Sequence, residues 1–133
     1  VKSYHTKIIL LHCISGYPTP KDEINLNQIN FLKKNLNLNF IGISDHTNDI
    51  EAASLASTMG ISAIEKHFII KKNRNSPDNS FSITPKQLKE LKKNIINFNS
   101  MMGKNKLVRP NSEKSSKIFR RKVPTTFRSD RVN

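Results

Sequence analysis

Two histidines in the 133-residue sequence follow short apolar segments at matching positions. His46 lies two residues after Ser44, and His67 lies two residues after Glu65. Because side chains alternate along a strand, each histidine shares a face with the polar residue before it. Neighbouring strands lie about 4.8 Å apart, so two imidazoles at adjacent strand ends can bind one divalent ion. Imidazole ligands with water and substrate oxygens suit Mn²⁺, Zn²⁺ or Fe²⁺.

Three segments have the length and apolar character of strands in a parallel sheet that is covered on both faces. They are residues 7–15, 39–45 and 61–68. In the second and third segments the face opposite the histidine is apolar, with Ile41 and Ile43 in one and Ile64 and Phe68 in the other. Each strand is therefore expected to pack its apolar face under helices and to turn its polar face inward.

Helices are predicted over residues 27–36, over residues 49–59 and from Thr84 to the stop at Gly103. The last has the clearest start, since Thr84 is an N-cap, Pro85 takes the first helical position and Gln87 completes a capping box. The positions expected to face the core are Ile29, Leu32 and Leu36, then Ala53, Ala56 and Met59, then Leu88, Leu91, Ile95 and Phe98.

A strand followed by a helix, three times over, predicts an α/β fold with parallel strands. The pattern fits either an open doubly wound sheet or part of a closed (β/α)₈ barrel. A whole barrel needs about 250 residues, so there is room for three or four of eight units. A GxGxxG fingerprint and a P-loop are both absent, which weakens the dinucleotide-binding form of the open sheet. Polar groups at the carboxyl ends of strands are typical of barrel active sites.

The composition limits the class of protein. The hydrophobic share of 35% still allows a core, and the single cysteine, Cys13, excludes a disulfide framework and favours a reducing cytoplasm. No apolar run approaches the roughly 18 residues of a membrane span. The net charge of +13 is uneven: residues 1–85 carry 9 Lys/Arg and 7 Asp/Glu, whereas residues 86–133 carry 14 and 3. The basic excess belongs to the last helix and a tail.

The motifs around these histidines resemble those of one enzyme family. They read LHCISGYPTP at residues 11–20, GISDHT at residues 42–47 and IEKHF at residues 64–68, followed by Pro77-Asp78 and Phe81-Ser82. In order and spacing the chain resembles the sialic acid synthases and their relatives that make pseudaminic and legionaminic acids. The resemblance covers residues 7–103, with a weaker trace to Glu113 and to residues 120–121.

The resemblance implies that the chain is the C-terminal half of a (β/α)₈ TIM barrel. It implies an enzyme that condenses phosphoenolpyruvate with an N-acyl amino sugar, such as N-acetylmannosamine, giving a nine-carbon 2-keto acid and phosphate. His46 and His67 would hold a divalent ion, Mn²⁺ first and Mg²⁺ or Co²⁺ as alternatives. The family relationship further implies a cytoplasmic homodimer that serves the synthesis of cell-surface polysaccharide.

Residue roles follow the same resemblance. Ser44 and Glu65 match catalytic positions beside the ion and phosphoenolpyruvate. Tyr17 and Asp78 match groups that contact the amino sugar, and so does Ser15, at a position where many members have Asn. By strand alternation Lys66 falls on the outer face, outside the site.

Asp45 also points outward by alternation, where it is expected to cap or orient a neighbour. The family commonly reads GPDH where this chain has Ser76-Pro77-Asp78-Asn79. This departure leaves the amino sugar open between the sialic, pseudaminic and legionaminic branches.

The expected organisation is a partial barrel over residues 1–103 and a basic tail over residues 104–133, truncated before an antifreeze-like domain. The N-terminal half of the barrel, with its phosphate-binding lysines, is missing, so the chain alone is expected to be inactive. The alternatives are an inactive remnant or a basic nucleic-acid-binding protein acting through residues 104–133. Only Phe119 and Phe127 supply aromatic rings in that tail, so nucleic acid ranks last as a partner.

Overall fold

The structure is a computed structural model, and it describes residues 8–72 and 76–119. The chain divides into two compact units, Val1–Gly103 and Lys104–Asn133. In the first unit the elements alternate: β1 (Leu10–Cys13), α1 (Asn27–Leu36), β2 (Ile41–Asp45), α2 (Glu51–Ala56), β3 (Ala63–Lys66) and α3 (Pro85–Met102). A 3-10 turn, Ser57–Met59, extends α2, and a second one, Pro77–Asn79, precedes α3.

The three strands form one parallel sheet in the order β1-β2-β3. The register aligns Cys13 with Ser44 and Ser44 with Glu65, so these three side chains share one face of the sheet. A single parallel bridge between Phe68 and Ile83 continues the pairing beyond β3. The prediction of an α/β fold with parallel strands is confirmed.

The apolar face of the sheet forms the core. Ile41 and Ile43 of β2 are buried against Ile29 of α1 and Ala56 of α2. A second cluster joins α2 to α3 through Ile50, Ala53, Ile83 and Leu91. The isoleucines of β2 thus lie under the helices, as their alternation with Ser44 predicted.

Local signals set the helix ends. α1 ends at Asn37, which adopts the left-handed conformation with φ 48° and donates its backbone N–H to the Lys33 carbonyl. At the start of α3 both hydrogen bonds of the predicted capping box are present between Thr84 and Gln87. The bounds predicted for α1 and the start predicted for α3 are confirmed.

The strands are shorter than predicted. The apolar segments at residues 39–45 and 61–68 contain ladders that cover only Ile41–Asp45 and Ala63–Lys66. In the first predicted strand the ladder covers Leu10–Cys13, and residue 7 lies outside the described residues. Apolar side chains thus continue beyond the ladders, and two of them, Phe40 and Phe68, are exposed.

Two residues expected in the core lie at the surface. Leu36 is 54% exposed and Leu88 is 46% exposed. Leu36 occupies the last turn of α1, and Leu88 lies in the first turn of α3, so both are at helix ends.

The second unit contains two 3-10 turns, Asn111–Glu113 and Ser115–Phe119. Arg109 and Glu113 lie 3.9 Å apart in a solvent-exposed ion pair. Residues 120–133, the last part of the predicted basic tail, lie outside the described residues. Among the helices that the structure describes, none has both the length and the apolar character of a membrane span.

Candidate metal and substrate site

His46 is buried directly after the end of β2, with 4% of its surface exposed. Its Nδ1 lies 3.1 Å from the Ile14 carbonyl oxygen, which can only accept, so Nδ1 carries the proton and donates. Its Nε2 lies 3.5 Å from Ser44 Oγ, whose proton is already donated elsewhere. The lone pair of Nε2 is therefore available to a metal ion.

His67 follows β3 in the equivalent position. Its Nδ1 lies 3.3 Å from Oδ2 of Asp78. Because a carboxylate faces Nδ1 of His67, the neutral ring is expected to carry its proton there and to keep the lone pair on Nε2. An imidazole held through one nitrogen by a carboxylate or carbonyl is the usual arrangement of a metal-binding histidine.

Four aromatic rings pack together at this end of the sheet. The centroids of His46 and His67 are 5.2 Å apart, with the rings edge to face. Tyr17 lies 4.4 Å from His46, and Phe81 lies 4.8 Å from His67. Tyr17 and Phe81 are 5.3 Å apart, so they close the group on the side away from the strands.

A short hydrogen bond lies below the histidines on the same face of the sheet. Ser44 Oγ donates to Glu65 Oε1 at 2.6 Å, joining β2 to β3. Gly42 lies one layer lower, where a Cβ atom would approach the Ala63 carbonyl oxygen to 2.5 Å. The inner face is thus small at its base and polar at its top, as predicted.

Backbone pairing holds the segment that carries Asp78. Ile83 N–H donates to the His67 carbonyl at 2.9 Å, and Ile69 N–H donates to the Ile83 carbonyl at 2.9 Å. Lys72 Nζ donates to the carbonyls of Asn79 and Ser82. Through these bonds the segment ending at Ile83 lies beside His67.

The loop after β1 brings Tyr17 over the site. Thr19 N–H donates to the His46 carbonyl at 3.0 Å, and Thr19 Oγ1 donates to the Gly16 carbonyl at 2.8 Å. Thr19 itself is buried, whereas Tyr17 is 55% exposed. The Tyr17 ring thus packs on His46 and keeps more than half of its surface exposed.

The helix-facing side of the same strand ends carries an ion pair. Lys66 Nζ lies 3.1 Å from Asp45 Oδ2, and the two side chains are 3% and 0% exposed. Asp45 Oδ1 accepts the Thr47 N–H at 2.8 Å, which is the capping role expected of it. Burial lowers the pKa of the Lys66 ammonium, although the Asp45 carboxylate opposes this shift.

Six of the seven predicted site residues come together. Ring contacts and hydrogen bonds connect Tyr17, Ser44, His46, Glu65, His67 and Asp78. Ser15 lies exposed just beyond β1 and takes no part in those contacts.

Sequence reasoning gave no role to Phe81 or Cys13. Phe81 is 4% exposed and packs on His67. Cys13 is exposed, with Sγ 3.9 Å from His46 Nδ1. The pairing of β1 with β2 places Cys13 beside Ser44 on this face.

The two imidazoles fit a shared ion in spacing and in ligand type. With metal–nitrogen distances of about 2.0–2.1 Å, the ring centres around one ion stand roughly 4.5–5.5 Å apart. The 5.2 Å between His46 and His67 falls in this range. Within residues 8–72 and 76–119, no group of three or more His, Cys, Asp or Glu side chains is arranged to hold a metal.

Comparison with known proteins identifies the family. Residues 1–107 match the NeuB family. The chain is 43% identical over 107 residues to an uncharacterized protein of Methanocaldococcus jannaschii, covering 80% of this chain and 32% of that one. It is 41% identical over 96 residues to the N,N'-diacetyllegionaminic acid synthase of Campylobacter jejuni, covering 72% and 28%.

A solved structure agrees. The crystal structure of the N-acetylneuraminic acid (sialic acid) synthetase of Leptospira borgpetersenii, in complex with citrate, matches with a TM-score of 0.73 and 34% identity. The match covers 84% of this chain and 39% of that one. The chain belongs to the NeuB family, whose members include sialic, pseudaminic and legionaminic acid synthases. It spans about a third of the length of the curated relatives that it matches.

Proposed function

We propose that this chain supplies the metal-binding and sugar-binding part of a nonulosonic acid synthase. The whole enzyme would condense phosphoenolpyruvate with an N-acyl amino sugar and release a nine-carbon 2-keto acid and phosphate. The observation that carries the proposal is the pair of imidazoles, His46 and His67, each held through Nδ1 and placed above the hydrogen-bonded Ser44 and Glu65. The family consists of phosphoenolpyruvate-dependent synthases.

His46 and His67 would hold the divalent ion, since the NeuB family uses a metal. Mn²⁺ is the first choice, with Mg²⁺ and Co²⁺ as alternatives, and water and substrate oxygens would complete the coordination. When bound, such an ion polarises the sugar aldehyde as a Lewis acid, which favours attack by the enolpyruvate carbon. The Ile14 carbonyl and the Asp78 carboxylate, each beside an Nδ1 atom, favour the neutral tautomer in which Nε2 carries the lone pair.

Glu65 and Ser44 would act on the phosphoenolpyruvate side. Once the carbon–carbon bond forms, positive charge develops at the carbon that bears the phosphate, and the Glu65 carboxylate would stabilise it. The same carboxylate would accept a proton from the water that adds to this carbon before phosphate leaves. Ser44 Oγ, which donates to Oε1 at 2.6 Å, fixes the carboxylate and leaves Oε2 for this proton.

Tyr17, Asp78 and Ser15 would contact the amino sugar. Asp78 is about half exposed, and its carboxylate has acceptor capacity beyond the single His67 contact. The exposed Tyr17 ring offers an apolar face and a hydroxyl to a sugar held over His46. Ser15 would join the site from the end of β1, where its exposed hydroxyl can bind a sugar oxygen.

In this proposal the chain corresponds to the C-terminal half of the barrel, over residues 1–103. Cationic groups for the phosphate would come from the other half, so the chain by itself would bind metal and catalyse no condensation. The complete enzyme would act as a homodimer in the cytoplasm. An inactive remnant, the alternative, would lack the metal site.

The experiment is a Mn²⁺ titration of the 133-residue chain by calorimetry and electron paramagnetic resonance. We expect one ion per chain, and loss of that binding in the His46→Ala/His67→Ala variant. Tyr17→Phe is the matched control, because it keeps the ring over His46 and removes only the hydroxyl, so Mn²⁺ binding should be unchanged. Circular dichroism establishes that each variant is folded.

Two results would count against the proposal. A folded chain that does not bind Mn²⁺, Mg²⁺ or Co²⁺ would contradict a preformed metal site. Equal Mn²⁺ binding in the chain and in the double-histidine variant would place the ion elsewhere.

A further inference from the structure

We infer that the buried ion pair of Lys66 and Asp45 is a positioning pair that holds the ends of β2 and β3 together, so that the imidazoles of His46 and His67 keep the separation one metal ion requires. The inference rests on the proposed function, since the metal gives that separation its meaning. Lys66 and Asp45 contact neither substrate nor metal and act through the residues beside them.

The position of the pair in the sheet is the first argument. Asp45 and Lys66 are partners in the last register position of the β2–β3 ladder. His46 follows Asp45 and His67 follows Lys66, so each histidine lies one residue beyond the last paired position of this ladder. Whatever holds the last pair together therefore controls the distance between the two histidine backbones.

The contacts of Lys66 are the second argument. Besides Asp45 Oδ2, its Nζ contacts the Asp45 carbonyl at 3.3 Å, the Thr47 carbonyl at 2.6 Å and the Thr47 hydroxyl at 3.4 Å. All four acceptors lie on residues 45–47, a segment whose middle residue is His46. A side chain of β3 thus holds both residues that flank the first histidine, and it projects from the residue before the second.

Burial is the third argument. The side chains of Lys66 and Asp45 are 3% and 0% exposed, so both charges have little access to water. Within the described residues Asp45 Oδ2 receives no well-directed hydrogen bond, so Lys66 is its charge partner. If the pair separated, each charge would be left buried without an opposite charge beside it, at a high cost in free energy. The distance between the two groups is therefore held more tightly than in a surface ion pair.

The pair and the histidines lie on opposite faces of the sheet. Because side chains alternate, Asp45 and Lys66 point toward the helices while His46 and His67 point to the inner face. The positioning pair therefore sets the spacing of the ligands without occupying space in the site. Other contacts hold the two histidines individually, His46 through Thr19 and His67 through Ile83. Neither of those contacts joins one histidine segment to the other.

The test uses Asp45→Asn/Lys66→Met in the 133-residue chain, because removing both charges avoids leaving one buried alone. Asn keeps the acceptor for Thr47 N–H, and Met keeps the length of the Lys66 stem. Lys21→Met is the matched control. It makes the same substitution at a lysine whose ion pairs, with Asp49 and Glu51, are exposed.

The first measurement is amide hydrogen exchange without metal. We expect exchange to accelerate at least tenfold at residues 45–47 and 66–68 in the double variant, with little change in α3, and no change in Lys21→Met. The second is Mn²⁺ titration, where we expect the dissociation constant to rise about ten- to a hundredfold, as for other residues that orient metal ligands. If the double variant does not fold, Asp45→Asn alone is expected to show the same local acceleration.

The outcomes separate the two proposals. Unchanged exchange at both strand ends would overturn the positioning role, whatever the metal does. Accelerated exchange with an unaltered Mn²⁺ dissociation constant would also overturn it, because the ligand spacing would then not depend on the pair. Absence of Mn²⁺ binding in the unmodified chain would refute the metal in the proposed function. In that case the exchange data alone decide whether the pair holds the strand ends.

Discussion

Gly42 is the glycine at which adding a single methyl group should strain the sheet below the site most strongly. A Cβ atom built there would lie 2.5 Å from the Ala63 carbonyl oxygen and 2.5 Å from Leu11 Cδ2. The leucine methyl can rotate away, but the carbonyl belongs to the backbone of β3. We therefore expect Gly42→Ala to strain the sheet.

The size of the effect follows from the distance that must be gained. Contacts of Cβ atoms below 3.0 Å are essentially never seen, so β3 must move about 0.5 Å away from β2. Overpacking of this kind costs about 1–3 kcal/mol in well-packed interiors, and a backbone neighbour places Gly42→Ala at the upper end. For a domain of this size that loss lowers the midpoint of thermal unfolding by roughly 10–20 °C.

Urea denaturation followed by circular dichroism measures the change in the free energy of unfolding. Gly16→Ala is the matched control, because a Cβ atom there meets Thr19 Cα at an ordinary 3.6 Å. We expect Gly16→Ala to change stability by less than about 0.5 kcal/mol. If Gly42→Ala unfolds at the same urea concentration as the unmodified chain, the close approach of β2 and β3 described above is wrong.

Three smaller predictions follow from other contacts. Thr84→Ala removes the side-chain half of the capping box and should cost about 1 kcal/mol in urea denaturation, with Gln87→Ala costing less. Lys21→Met breaks an exposed pair with Asp49 and should change the free energy of unfolding by under about 1 kcal/mol. Burial opposes the shift, but hydrogen bonds from Lys21 and from the Glu51 N–H lower the pKa of Asp49 below its ordinary 3.8. Its contribution to stability is thus present above pH 3.8 and lost as the pH falls through the lower folded pKa. Urea midpoints between pH 5 and pH 3 should show a steeper loss in the unmodified chain than in Lys21→Met.

Local signals in the sequence predicted the parts of the fold that depend on neighbouring residues. The capping residues Thr84 and Gln87 act within one helical turn, and Asn37 follows the last residue of the predicted α1. Strand alternation placed Ile43 in the core and Ser44 on the inner face for the same reason. Strand ends were predicted less well, because they depend on pairing with a distant segment and the apolar pattern runs past them.

Contacts of the site that span long loops could not be predicted from residue spacing. The contact of His67 with Asp78 depends on an intervening loop and on the return of the chain at Ile83. Phe81 gave no sign in the sequence that it would pack on a histidine ring. For Asp45 and Lys66, strand alternation correctly placed both side chains on the outer face. It did not predict that they would form an ion pair, because the register between the two strands is not visible in the sequence.

The pairing of Ile83 with His67 and Ile69 divides the connection between β3 and α3 into two regions with different freedom to change. The base of the connection, formed by His67, Ile69 and Ile83, is hydrogen-bonded through its backbone, so the position of Ile83 is fixed relative to His67. Asp78 lies in the part of the connection between these paired residues, of which the structure describes residues 70–72 and 76–82. Substitutions, insertions or deletions between the paired residues can therefore change the surroundings of Asp78 while the backbone pairing that positions His67 stays in place.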